Sequence, residues 1–239
     1  MSRIVHIALK CGTKENLESA TKFYEDIFGI YTTKEKHARG HLSRHMTDGN
    51  IDLALMLYDS EDEKEAKIAG PSNQIHHIGV EVADRPSMIK KIEDNGGTIF
   101  SDRAEGALKY FAADGTLGEI VAAGRYPTHE RSKLSRISNV SYYVNNLEKA
   151  VAFYKNVFDF KEVAEGAKEG RRVLTDGDTT ITLTEGQGSA AIISWGLEVK
   201  DPAAVAKQVE KQGGSLVPGG VGIQNFRGPD GNIAELSQA

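Results

Sequence analysis

Apolar residues recur along this chain in two kinds of stretch, one typical of strands and one typical of helices. Residues 4–10 form a short run of β-forming side chains, and residues 16–28 carry apolar side chains at helical spacing. Gly29 directly follows the second stretch and is a common residue at a helix end. Three further strands are predicted at 30–35, 41–47 and 50–58. The opening of the chain therefore forms one β-α-β-β-β unit.

The same unit occurs four times in all. A second copy begins with a predicted strand at 74–82, and the helix predicted at 146–158 repeats the Phe-Tyr pair of the helix at 16–28. The Thr-Asp-Gly motif at 175–177 repeats the motif at 47–49. Self-similarity at two nested periods indicates a duplicated pair of units. The predicted domains are 1–124 and 136–239, joined by a linker at 125–135 that shows no periodicity.

Two histidines occupy the same position in equivalent strands. When the first two units are aligned, His77 falls on His6, and each is followed by Ile and then by a small residue, Ala8 or Gly79. Two imidazoles at one register of two such strands suggest a metal site. The neighbouring His76 must point to the opposite face of its strand, so we interpret it as structural or exposed.

Composition narrows the classes of function. The 239 residues are 39% apolar and 26% charged, which is typical of a soluble globular protein. The formal charge of −5 provides no basic surface for nucleic acid and disfavours anionic membranes. Cys11 is the single cysteine, which excludes an intramolecular disulfide and a thiolate zinc cluster. Neither a signal peptide nor a membrane-spanning run is recognisable, so we expect a cytoplasmic protein.

The repeated unit resembles a known superfamily. A β-α-β-β-β unit that opens with His-Ile, carries Phe-Tyr in its helix and has Asp-Gly-x-x-x-Glu near the end of its partner is similar to the vicinal oxygen chelate superfamily. That group includes glyoxalase I, methylmalonyl-CoA epimerase, extradiol dioxygenases, and the bleomycin and fosfomycin resistance proteins. The resemblance implies an α+β fold of four βαβββ modules, forming two tandem domains with cupped mixed β-sheets. It indicates the reaction less closely, because one fold hosts many chemistries.

The resemblance also implies a set of metal ligands. In the superfamily they come from the first strand of each unit and the last strand of the second, which here selects His6, His77 and Glu119. Two imidazoles and one carboxylate suit Fe(II) or Mn(II), with Zn(II) or Ni(II) as alternatives. Isomerases of the superfamily often add a fourth ligand, at a position where this chain has Ala54. A shift of two residues along the same strand face would supply Asp52 instead.

The second half of the chain departs from this pattern. Asn139 and Ser194 stand at the two histidine positions, and only Glu235 is retained. Six of the seven histidines precede the linker and the seventh, His129, lies within it. We therefore expect the second half to hold no transition metal and to act as a structural or substrate-shaping copy.

Three more side chains are candidates for catalytic roles. Lys109 lies ten residues before Glu119, near the point where ring-cleaving members of the superfamily carry a tyrosine, and could hold an anionic substrate or an oxyanion. The alternative is a surface lysine. His41 and His45 share one face of their strand and could act as acid or base, the alternative being an exposed polar face.

The resemblance implies a metal-dependent enzyme whose small organic substrate offers two neighbouring oxygens to the ion. Because the fourth protein ligand is missing, we favour an extradiol-type dioxygenase. The alternatives are a glyoxalase-like isomerase, epimerase or lyase, and a non-catalytic protein that binds small molecules or confers resistance. The expected partner is a small molecule, with no nucleic acid or membrane, and a homodimer is compatible with this hypothesis.

Overall fold

A computed structural model describes residues 2–69, 75–101, 107–186, 190–218 and 224–239 of the chain. Residue 74, the first of the strand predicted at 74–82, lies outside the described residues. Within them the β-α-β-β-β unit occurs four times, in the order that the sequence predicts.

In the first half, the elements predicted within 4–58 and at 74–82 lie close to their predicted positions. The strands are β1 (Arg3–Lys10), β2 (Tyr31–Ala38), β3 (His41–Thr47), β4 (Asp52–Tyr58), β5 (Ile75–Val82), β6 (Thr98–Ser101), β7 (Leu108–Phe111) and β8 (Leu117–Ala122). The helices are α1 (Lys14–Phe28), α2 (Lys64–Ala69) and α3 (Arg85–Asp94).

The second half repeats this order without a counterpart of α2 in its described residues. Its strands are β9 (Ser135–Val144), β10 (Lys161–Lys168), β11 (Arg171–Thr175), β12 (Thr180–Glu185), β13 (Ala191–Val199), β14 (Ser215–Val217), β15 (Gln224–Arg227) and β16 (Ile233–Gln238). Its helices are α4 (Leu147–Phe158) and α5 (Pro202–Lys211).

The described strands form two eight-stranded mixed sheets with the same topology. Their orders are β2-β3-β4-β1-β5-β8-β7-β6 and β10-β11-β12-β9-β13-β16-β15-β14. The first strands of the two units of the first half, β1 and β5, are therefore neighbours in the middle of one sheet. The last strand of the second β-α-β-β-β unit, β8, lies beside β5. This topology brings together the three strands that carry the predicted metal ligands.

Local sequence signals explain the first helix. The Thr13 hydroxyl accepts a hydrogen bond from the N–H of Asn16 at 3.1 Å and so caps the N-terminus of α1. The helix ends at Gly29, whose φ of 64° is the left-handed conformation that glycine adopts without strain. The buried face of α1 consists of Leu17, Ala20, Thr21, Phe23, Tyr24, Ile27 and Phe28. The helical spacing of apolar residues in 16–28 predicts a buried face on this helix.

The chain divides into two compact units that combine segments from both halves of the sequence. The first unit contains Met1–His6, His77–Pro127 and Asn139–Ile193, and the second contains Ile7–His76, Thr128–Ser138 and Ser194–Ala239. In the first, α3 packs against α4, and the ring of Tyr110 lies 5.9 Å from that of Phe158. In the second, α1 packs against α5, and Phe28 stacks on Phe226 with ring centroids 5.5 Å apart. The domain boundaries given above stay a prediction.

The aspartates of the repeated Asp-Gly turns tie distant segments together within each unit. In the first unit, Asp176 Oδ2 accepts a hydrogen bond from the N–H of Ile4 at 2.6 Å. In the second unit, Asp48 Oδ2 accepts one from the N–H of Ile137 at 2.7 Å. Each carboxylate thus satisfies a donor at the start of a first strand, β1 or β9. The Ile4 contact anchors β1 two residues before His6.

Candidate metal centre

The three predicted ligands lie on three neighbouring strands and in the first compact unit. His6 is on β1, His77 on β5 and Glu119 on β8. Gly79 is paired with Glu119 in the parallel register of β5 and β8. Since side chains alternate between faces along a strand, His77, Gly79 and Glu119 share one face of the sheet.

Gly79 leaves space for the imidazole of His6. A Cβ atom at position 79 would lie 2.8 Å from His6 Cβ and 3.2 Å from its Cδ2. The first of these distances is shorter than carbon atoms tolerate without movement. The small residue noted after each histidine in the sequence therefore has a physical role at Gly79: any side chain there would displace His6.

The ligand atoms of the three side chains converge. One nitrogen from each histidine and one carboxylate oxygen all lie within 4.8 Å of one another. His77 Nε2 is 3.4 Å from Glu119 Oε2, and the rings of His6 and His77 have centroids 5.3 Å apart. The three residues are only 3%, 1% and 5% exposed. This spacing suits a single divalent ion, whose bonds to imidazole nitrogen and carboxylate oxygen are about 2.0–2.2 Å long.

The electrostatics also fit a metal ion. Burial, with the nearby charge of Lys109, lowers the pKa of His77 to about 4, so its imidazole is neutral at pH 7. Burial raises the pKa of Glu119, but the close contact with His77 and the charge of Lys109 outweigh this, and the pKa lies well below its usual range. A neutral imidazole and an ionised carboxylate are the forms in which these groups bind metals. The residues present therefore fit the ion that the sequence predicts.

Lys109 lies beside this set. It stands directly opposite Glu119 in the antiparallel pair of β7 and β8, so both side chains project from the same face. It is only 7% exposed, which excludes the alternative of a surface lysine. A buried ammonium next to a carboxylate can compensate its charge or bind an anionic group. The catalytic role of Lys109 stays a prediction.

His41 and His45 both lie in the second compact unit, on β3. His45 Nδ1 is 2.8 Å and 3.0 Å from the two carboxylate oxygens of Asp52, so the structure joins these two residues into a pair. The ring of His41 lies 5.2 Å from that of Tyr58, apart from this pair. Ala54 is buried on the same strand as Asp52. The catalytic roles of both histidines, and Asp52 as a fourth ligand, stay predictions.

His76 is buried. Of the two interpretations given for it above, structural or exposed, the structure favours the first. Its Nε2 lies 2.9 Å from the backbone oxygen of Glu65 and 3.4 Å from the hydroxyl of Tyr58. These contacts link β5 to α2 and β4 within the second unit.

Tyr126 is a residue at this site that the sequence analysis missed. Its ring stacks on His6 with centroids 4.5 Å apart and an interplanar angle of 1°. Its hydroxyl donates a hydrogen bond to Glu119 Oε1 at 3.4 Å. Tyr126 falls in the stretch predicted as a linker, where no periodicity marks a buried position. The available signal was a single aromatic residue in a polar segment, seven positions after Glu119.

In the second half, the residues at the equivalent positions form hydrogen bonds within the protein. Asn139 Oδ1 accepts hydrogen bonds from the hydroxyls of Thr180 and Thr182, each at 3.0 Å, in the first unit. In the second compact unit, the Ser194 hydroxyl donates a hydrogen bond to Glu235. That the second half holds no transition metal stays a prediction.

Across the described residues, no helix is both long and apolar enough to cross a membrane.

Comparisons with known proteins agree with the fold. A comparison with curated proteins found no match. The Mn(II)-bound glyoxalase from Novosphingobium aromaticivorans has a similar structure, with a TM-score of 0.71 and 16% identity over 99% of this chain and 82% of that chain.

Two ring-cleaving enzymes are similar in structure as well. The 2,3-dioxygenase LapB from Pseudomonas sp. KL28 has a TM-score of 0.67 and 14% identity, over 99% of this chain and 92% of its own. The 2,2',3-trihydroxybiphenyl 1,2-dioxygenase from Sphingomonas wittichii RW1 has a TM-score of 0.66 and 16% identity, over 100% of this chain and 90% of its own. At these identities the likeness establishes a shared fold.

A family model assigns the chain more directly. The model of the Glyoxalase/Bleomycin resistance protein/Dioxygenase superfamily matches residues 3–114 and 136–236, one region in each half. This is the superfamily that the repeated units resemble, and the two predicted tandem domains are confirmed. Because the match covers most of the sequence, this protein belongs to the Glyoxalase/Bleomycin resistance protein/Dioxygenase superfamily.

Proposed function

We propose that this protein is a metal-dependent dioxygenase of the extradiol type, acting on a small substrate with two neighbouring oxygens. The observation that carries the proposal is the buried convergence of His6, His77 and Glu119 within 4.8 Å. Two imidazoles and one carboxylate leave coordination positions open for substrate and O2 and are typical of non-haem Fe(II) oxygenases. The likeness to two dioxygenases supports the choice of reaction.

The three ligands would hold Fe(II) or Mn(II), which supplies a Lewis acid and an electron donor for O2 chemistry when bound. His77 contributes a neutral nitrogen because burial keeps it unprotonated at pH 7. Glu119 contributes one negative charge. The low exposure of all three residues excludes bulk water and strengthens every charge interaction among them.

Lys109 would add a positive charge at this face. The residue is paired directly with Glu119, and its ammonium would attract an anionic substrate oxygen and the negative charge that develops when a substrate hydroxyl loses its proton. A lysine that is 7% exposed has little water around it, so such an interaction is stronger than at the surface.

An isomerase or lyase of the glyoxalase type is the second candidate. The likeness to a Mn(II)-bound glyoxalase favours it.

Metal analysis followed by O2-uptake measurements would test the proposal. Protein purified without chelator should contain about one divalent ion per chain, and the double variant His6→Ala/His77→Ala should contain none. The exposed His129→Ala is a matched control that should keep its metal. After loading with Fe(II), the protein should consume O2 in proportion to a catechol from a substrate panel.

Two results would contradict the proposal in different ways. Metal retained by the double variant would refute the assignment of the ligands. Full turnover of a substrate with Zn(II) and no O2 consumption would keep the metal centre and replace the dioxygenase with the isomerase or lyase.

A further inference from the structure

Tyr126 contacts two of the three predicted ligands at once. Its hydroxyl reaches Glu119 Oε1 at 3.4 Å, and its ring lies parallel to the imidazole of His6 at 4.5 Å. The residue is 7% exposed. These contacts join Tyr126 directly to the candidate metal centre.

The backbone around Tyr126 is itself fixed. The N–H of Gly124 donates to Glu81 Oε2 at 2.7 Å, and the N–H of Arg125 donates to the backbone oxygen of Ala122 at 3.2 Å. These bonds form a turn directly after β8, with Gly124 at a φ of 76°. The side chain of Tyr126 is therefore directed back toward the strand that carries Glu119.

Apolar neighbours hold the ring in its position. Tyr126 packs in a buried cluster with Val5 and Val121. Val5 directly precedes His6 on β1, and Val121 follows Glu119 by two residues on β8. A ring packed in this way has little rotational freedom and can transmit its position to both ligands.

The two oxygens of Glu119 have different surroundings. Oε1 accepts the hydrogen bond of Tyr126, whereas Oε2 is the oxygen that lies 3.4 Å from His77 Nε2. A carboxylate can bind a metal through one oxygen or both, and a hydrogen bond to one oxygen favours binding through the other. The contacts thus distinguish the oxygen that Tyr126 holds from the oxygen that lies near His77.

We propose that Tyr126 is a positioning residue of the metal centre: its hydroxyl holds Glu119 Oε1 so that Oε2 ligates, and its ring sets the plane of His6. The inference rests on the proposed metal site. Groups of this kind typically change metal affinity about 10–100-fold when removed. By leaving one carboxylate oxygen as the ligand, Tyr126 also keeps a coordination position available for substrate.

Metal affinity separates this role from a structural one. Tyr126→Phe keeps the stacked ring and removes the hydroxyl, and Tyr126→Leu removes both contacts. Tyr142→Phe is a matched control, because it removes a fully buried phenol hydroxyl from β9 of the same compact unit. For each protein, calorimetry would give the dissociation constant for Mn(II), the visible absorption of bound Co(II) would report the ligand geometry, and melting without metal would report stability.

We expect Tyr126→Phe to bind Mn(II) about tenfold more weakly and to alter the Co(II) spectrum, with a metal-free melting temperature no lower than that of Tyr142→Phe. Tyr126→Leu should bind more weakly still. Wild-type affinity and an unchanged Co(II) spectrum in Tyr126→Phe would overturn the positioning role and leave the metal centre intact. Wild-type protein that binds neither Mn(II) nor Co(II) would overturn the metal centre and the role of Tyr126 together.

Discussion

Replacing Asp230 with asparagine should remove a pH dependence from the stability of this protein. Asp230 is fully buried in the second compact unit. Its Oδ1 accepts a hydrogen bond from the Tyr24 hydroxyl at 3.0 Å, and its Oδ2 accepts one from Asn232 Nδ2 at 2.8 Å. Burial raises the pKa of this carboxyl to about 6, because the two hydrogen bonds only partly replace the lost hydration.

The sign and size of the effect follow from this pKa. The carboxyl has an ordinary value of 3.8 in the unfolded chain, so the folded state holds its proton more tightly. The stability that this proton provides is fully present below pH 3.8 and is lost as the pH rises through 6. A pKa shift of this size corresponds to about 3 kcal/mol of folding stability in total. Roughly 2 kcal/mol of this stability is lost between pH 4 and pH 8.

Urea unfolding of wild type and Asp230→Asn across that pH range would measure the effect. The change to asparagine alters hydrogen bonding by an amount that does not depend on pH. The change with pH in the difference between the two free energies of unfolding therefore reports the titration of the Asp230 carboxyl. This difference should move in favour of the variant by about 2 kcal/mol from pH 4 to pH 8. Asp62→Asn, at a side chain that is 92% exposed, is the control for the same chemical change at the surface.

A difference that stays constant with pH for Asp230→Asn would refute the reasoning. It would mean that the carboxylate is as well stabilised in the folded protein as in water, through Tyr24, Asn232 and its own turn. A difference that moves in favour of the variant as the pH falls would show that the folded-state pKa lies below 3.8 instead of above it.

Three further outcomes are expected at the metal centre. Gly79→Ala should displace His6, because the new methyl carbon would lie 2.8 Å from His6 Cβ. Calorimetry should then show an affinity for Mn(II) at least tenfold lower than that of wild type. Wild-type affinity in this variant would refute the steric argument. Lys109→Met should lower turnover of an anionic substrate about 10²–10⁴-fold; unchanged kinetics would exclude the catalytic role. Mn(II) at about 100 times its dissociation constant should raise the free energy of unfolding by about 2.7 kcal/mol, and chelation or His77→Ala should abolish the gain; a gain that survives in His77→Ala would place the ion elsewhere.

The sequence by itself determined the repeated unit and its four copies. Helical spacing in 16–28 and the β-forming runs are local properties, and comparison of one copy with the next requires only the order of residues. Equivalent positions in equivalent strands also paired His6 with His77, and the resemblance to the superfamily added Glu119 to the candidate set. They converge in the structure because β1, β5 and β8 are consecutive in one sheet.

Only the tertiary structure decided what surrounds that set. Lys109 faces Glu119 through the pairing of β7 with β8, and Tyr126 reaches Glu119 through a turn that no periodicity marks. The burial of Asp230 and the two compact units drawn from both halves of the chain are likewise absent from the local pattern. Burial and pairing of this kind depend on contacts between residues far apart in sequence, so the pKa values and the hydrogen bonds of the site follow from packing.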